Sequence, residues 1–173
     1  MARSTADEEE NMRRLARESL WKRGLGILGI VAAGCAPQVM IRPTIQDSMV
    51  MPAPFDKAWG AMIASLSEQS LPVRAVDKAS GLANTDMVVF ASGVLSAREI
   101  DAIAVKPSVF LGTWVSGRYS VSVFAAAVDA THTKVRITAH IEAFEDNLTK
   151  TWHACYSKGV IENRLFNAIN SKL

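Results

Sequence analysis

Two runs of strict alternation, residues 119–127 and 135–143, constrain this chain more than anything else in it. Tyr119, Val121, Val123, Ala125 and Ala127 fall on one side of the first, with Ser120 and Ser122 opposite. Val135, Ile137, Ala139, Ile141 and Ala143 fall on one side of the second, opposite Arg136, Thr138, His140 and Glu142. A period of two with one apolar side is the pattern of a strand in an antiparallel sheet that buries a single face. Residues 129–133 join the two runs as a turn. Something else in the chain must then cover the apolar face.

The clearest candidate lies upstream. Phe55, Trp59, Met62, Ile63 and Leu66 recur at helical spacing and share one face, and Leu71-Pro72 ends the run because proline cannot continue the hydrogen-bond ladder. A second helix is expected near the C-terminus, N-capped by Ser157, with Ile161, Leu165, Ala168 and Ile169 inward and Glu162, Arg164 and Asn167 outward. Residues 48–51, 73–76, 82–90 and 150–156 read as further strands. The 77–81 segment between two of them is a connecting turn, because Asp77 can bond its own backbone and Gly81 accepts positive φ. Ser96-Ala97-Arg98-Glu99 resembles a capping box that opens a short helix with Ile100 and Ile103 inward. The expected fold is α+β: a single antiparallel sheet with two helices on one face, helix-grip-like, in the order β-α-β-β-β-β-β-α.

The N-terminus says where the protein resides. Lys22 and Arg23 precede an apolar run over residues 24–36 that ends in small residues and a cysteine, Ala32-Ala33-Gly34-Cys35. Thirteen residues are too few to span a bilayer core, which needs about 20. The basic-apolar-small order is that of a secretory signal. Its end resembles the lipobox of bacterial lipoproteins, which implies cleavage before Cys35 and lipid on its sulfur. Asp7 to Glu10 are unusual in a leader, and Met12 before Arg13 and Arg14 is an alternative start. The domains expected are a signal peptide over 1–34, a lipidated tether over 35–47 with Pro37 and Pro43, and one periplasmic domain over 48–173.

From Cys35 onward the chain carries 13 basic and 12 acidic residues, net +1, with no basic stripe, so nucleic acid is not an expected partner. If Cys35 is lipidated, Cys155 has no partner in the chain and a disulfide framework is excluded. Phe55-Asp56-Lys57-Ala58-Trp59, the 77–81 turn and the last helix together resemble the helix-grip domains of the BamC (NlpB) lipoprotein family, accessory subunits of the outer-membrane β-barrel assembly machine. The resemblance implies a lipid-anchored periplasmic protein-binding module on the inner side of the outer membrane, held to the membrane through Cys35 and contacting other envelope proteins. Ala36 lacks the aspartate that marks inner-membrane retention in enterobacterial sorting. The alternative is a carrier of a small apolar ligand between sheet and helix, where Ala125, Ala127, Ala139 and Ala143 leave space.

Signs of catalysis are few. The sequence holds no nucleophile elbow, glycine-rich phosphate loop or HExxH motif, so no enzyme, catalytic residue or cofactor is expected. One cluster merits weighing. Pairing Glu145 with Lys150 sets His140 opposite Cys155 and Glu142 opposite His153, four donors of the kinds zinc takes. Such pairs on a flat sheet rarely wrap a tetrahedral ion, so no metal is expected, and an outward Cys155 is awkward in an oxidising compartment. Burial under a partner or a shift of register would each remove that problem. Asn147-Leu148-Thr149 matches a glycosylation acceptor and reads more simply as a turn. The 106–117 segment carries Val109, Phe110, Leu111 and Trp114 between proline and glycines without a period, and is expected as an apolar loop. Phe110, Leu111 and Trp114 are the candidate partner contacts.

Overall fold

The computed structural model describes residues 41–173; the leader, Cys35 and the first part of the tether lie outside the described residues. The fold is α+β. Eight strands form one antiparallel sheet: β1 (Ser48–Met51), β2 (Val73–Asp77), β3 (Leu82–Thr85), β4 (Val88–Ser92), β5 (Ala104–Val105), β6 (Trp114–Ala127), β7 (Thr133–Glu145) and β8 (Thr151–Ser157). Three helices accompany them: α1 (Phe55–Glu68), α2 (Ser96–Ile103) and α3 (Val160–Asn170). Among the described residues no helix is long and apolar enough to cross a membrane.

The two alternating runs are the centre of the sheet. β6 and β7 pair in register from Gly117 with Ala143 to Ala127 with Thr133, and Tyr119, Val121, Val123, Val135, Ile137 and Ile141 all point into the core. Ala127, expected inward, is exposed at the strand end. Helix α1 lays Ala58, Trp59, Met62 and Leu66 on that face, and α3 adds Ile161, Leu165, Phe166 and Ile169. Asp77 accepts the Ala79 amide at 3.0 Å and the Ser80 hydroxyl at 2.7 Å, which closes the β2–β3 turn. Gly81 follows at φ 73°, where an added Cβ would meet the Ala125 carbonyl oxygen at 2.0 Å.

Each long strand has an outer edge shared by two short strands. On β6, β3 covers Ser122 to Phe124 and β4 covers Ser116 to Tyr119. The expected single strand over 82–90 is thus two. On β7, β1 covers Thr133 to Arg136 and β8 covers Ile141 to Glu145. Backbone groups left between the short strands need other partners. The Thr85 hydroxyl accepts the Val121 amide at 2.9 Å, and the Glu162 carboxylate accepts the Ala139 amide at 3.2 Å.

Four sequence-based expectations are corrected here. Strand β6 starts at Trp114, so the loop is shorter than 106–117. Gly117 lies inside the strand, paired with Ala91 and Ala143, and is glycine because an added Cβ would come within 2.7 Å of the Phe90 ring and 2.8 Å of Ile100 on α2. The Ser96 hydroxyl does not cap α2; it donates to the Val115 carbonyl at 2.8 Å. Helix α3 is preceded by Gly159 at φ 83° rather than capped by Ser157, and Glu162 is buried, not outward.

Candidate functional site

The β7–β8 register decides what becomes of the proposed ligand cluster. Glu145 pairs with Thr151, and Lys150 sits in the turn at φ 48°. That extra turn residue shifts β8 by one, and a one-residue shift reverses the face of every side chain on it. Cys155 therefore opposes Ile141 and is buried, and His153 opposes Ala143, while His140 and Glu142 face the other way. The four donors do not converge. Among the described residues no group of three or more His, Cys, Asp or Glu side chains is placed to hold a metal ion. Burial pushes the Cys155 thiol up to about 11, which keeps it protonated and poorly nucleophilic.

The opposite face of the sheet carries a different set. Arg118 meets Glu142 at 2.6 Å, and its guanidinium stacks over Trp152 at 3.9 Å. Phe144 packs edge-on to Trp152 at 5.3 Å. Two guanidinium nitrogens on one Glu142 oxygen, together with the cation–π contact, hold these side chains against the sheet.

Of the candidate contacts, Phe110 and Leu111 stand 81% and 68% exposed, whereas Trp114 is half-buried, edge-on to His153 at 5.5 Å with Lys106 over its ring. Sequence reasoning missed their neighbours. The register brings the start of β6 beside the ends of β4 and β7 and the start of β8. Val94 and Leu95, 102% and 62% exposed, and Leu148, 59% exposed, therefore join Phe110 and Leu111 at one end of the sheet. The result is an apolar rim contributed by three loops.

Glu145 ties that rim together. Its buried carboxylate accepts the backbone amides of Thr113 (3.0 Å), Asn147 (2.7 Å), Leu148 (3.0 Å) and Thr149 (2.6 Å), and the Thr149 hydroxyl at 2.9 Å. The Asn147 side-chain amide donates to the Leu111 carbonyl at 2.9 Å, and the Gly93 amide to Val115 at 3.0 Å. Burial pushes the Glu145 carboxyl up, but the amides of Thr149, Thr113 and Asn147 and the Thr149 hydroxyl outweigh it and hold the pKa at about 2, against 4.5 ordinarily. The signal for this was present: an acidic residue directly before the turn, able to fold back on the amides two to four residues on. Strand alternation gave it an inward position, which a turn-capping role explains.

A second feature lies at the divided edge of β7. Residues 42–47 and strand β8 diverge there and leave a groove of about 560 Å³ floored by residues 137–142. Glu162 lines it from below, accepting the Ala139 amide and the Ser157 hydroxyl, the latter at 2.7 Å. Of the alanines expected to leave space between sheet and helix, Ala125, Ala139 and Ala143 are buried in one core cluster with Met62, Leu66, Leu165 and Phe166, and Ala127 is exposed.

No family model matches the chain, and no curated protein is significantly similar to it.

Proposed function

We propose that this chain is a lipid-anchored periplasmic module that binds another envelope protein through the apolar rim, as an accessory subunit of an outer-membrane-associated assembly. The rim carries the reading. Five large apolar side chains from three loops stand 59–102% exposed at one end of the sheet. Large apolar side chains exposed together at one end of a sheet are the kind of surface that interaction sites use. Two of the loops, those of Leu111 and Leu148, are cross-tied through Glu145 and Asn147, and Leu111 is held at φ 53°, a conformation that costs a non-glycine residue roughly 1–2 kcal/mol. A surface ordered in advance has less conformational freedom to lose on binding. The membrane anchor is supported by the Lys22 to Cys35 segment alone.

The two halves of the proposal are tested separately. Radiolabelled palmitate is incorporated by the wild type and not by Cys35→Ser; label on the serine variant overturns the anchor. A photo-crosslinking residue at Leu111 gives a discrete adduct in cells, and the same residue at exposed Val76 on the far edge strand gives none. Adducts of equal yield at both positions overturn the rim as the contact surface.

A further inference from the structure

Residues 42–47, expected as tether, lie against the domain. The Asp47 carbonyl accepts the Ile137 amide at 2.8 Å, and Pro43 and Ile45 are half-buried at the groove. Ile45 sits so close to Gly159 that an added Cβ there would meet its Cγ2 at 3.3 Å. Arg42 reaches over the Tyr156 ring at 5.9 Å. The chain therefore leaves the domain at the C-terminal end of β8, where β8 gives way to α3. Ile41 is six residues from Cys35, a reach of at most about 21 Å at full extension.

What surrounds that exit suits a lipid headgroup layer. Ile41 and Val160 are 81% and 44% exposed, and Arg42 and Lys158 are exposed beside them. The exposed residues of α3 are Val160, Asn163, Arg164, Asn167 and Asn170, none of them acidic. The carboxylates around the exit are already engaged: Asp47 by Arg136 at 3.8 Å, Asp101 by Lys106 at 2.8 Å and Glu142 by Arg118 at 2.6 Å, while Glu162 is buried. Cations set among exposed apolar side chains are drawn to anionic phosphate headgroups, and their long stems let the charge stay in the polar layer.

We propose that this corner, Ile41, Arg42, Lys158 and Val160 with the outer face of α3, rests on the anionic headgroups of the bilayer that holds Cys35. This depends on the reading of Cys35 as the lipid anchor and adds an orientation to it. The rim loops lie at the opposite end of β8, and Thr151 to Tyr156 is about 17 Å of strand. With the corner on the headgroups, the rim is directed off the bilayer, where an envelope protein rather than lipid meets it.

The test uses the lipidated full chain in vesicles of phosphatidylethanolamine and phosphatidylglycerol that carry a headgroup nitroxide. A fluorophore is attached through Asn163→Cys or through Leu111→Cys; Cys155 is buried and stays unlabelled. Quenching is expected to be at least ~3-fold stronger at the Asn163 position than at the Leu111 position, because a strand length separates corner from rim. Replacing both lipids by phosphatidylcholine is expected to lower that ratio at least ~2-fold, and so is the exposed double change Arg42→Glu with Lys158→Glu. Equal quenching at the two positions, stronger quenching at Leu111, or a ratio that neutral vesicles leave unchanged overturns the inference. These outcomes are read on chain that has incorporated palmitate, so they leave the anchor standing; a wild type that takes up no palmitate overturns anchor and orientation together.

Discussion

Glu145 at the end of β7 and Glu162 in the first turn of α3 are both buried, and they differ in how many donors surround them. Glu145 receives four backbone amides and a hydroxyl and joins two loops. Glu162 receives one amide and one hydroxyl and borders a groove. A carboxylate saturated by local donors is a structural clamp, because its charge is dispersed over groups that cannot leave without unfolding the loops. One with acceptor positions to spare has the same charge and fewer claims upon it.

The largest expected effect breaks the clamp. Glu145→Ala strands the amides of Thr113, Asn147, Leu148 and Thr149 together, and thermal unfolding should fall by on the order of 10 °C. Glu162→Ala strands a single amide, that of Ala139, and should lower it by on the order of 5 °C. If the second loss exceeds the first, donor number does not separate the two sites.

Acid sharpens the same contrast. The Glu145 carboxyl titrates at about 2 when folded and near 4.5 when not, so its stabilisation is complete above pH 4.5 and is lost as pH falls toward 2. Asp129, held at about 2 against 3.8 ordinarily by the amide and hydroxyl of Thr131 and by His132, loses its share as pH falls from 3.8 toward 2. Melting temperature should therefore drop less steeply between pH 4.5 and 2 in Glu145→Gln than in the wild type, with an Asp129 slope remaining. Equal slopes would remove the clamp's electrostatic basis.

Thr85→Val makes the milder version of the Glu162 change, since the Thr85 hydroxyl fills the break on β6 as Glu162 fills that on β7. Denaturant unfolding should show a loss of about 1 kcal/mol, at the low end of the cost of an orphaned buried donor. The smallest effect belongs to Phe110→Ala, whose side chain is 81% exposed: stability should change by less than about 0.5 kcal/mol while crosslinking at Leu111 falls. A loss of several kcal/mol there would make Phe110 part of the fold rather than of a contact surface.

Much of the architecture follows from local pattern. The period of two over 119–127 and 135–143 and the helical stripe from Phe55 to Leu66 each specify an element and its buried face, because burial of one face is imposed on the strand or helix as a unit. The apolar character of Phe110 and Leu111 was equally plain. Val94, Leu95 and Leu148 were not legible as their neighbours, since strand register, not sequence distance, gathers three loops at one end. What only the tertiary structure decided are the single-residue choices. Lys150 in a left-handed turn shifts β8 by one, sends Cys155 inward and dissolves the His140–Cys155 pairing. Gly117 is a strand residue without a side chain because Phe90 and α2's Ile100 press on it, and Glu162 turns inward because β1 and β8 part and leave the Ala139 amide in need of an acceptor. Periodicity reports which face of an element is apolar; hydrogen-bond partners left over by distant strands are set by how those strands meet, and no local window of sequence contains that information.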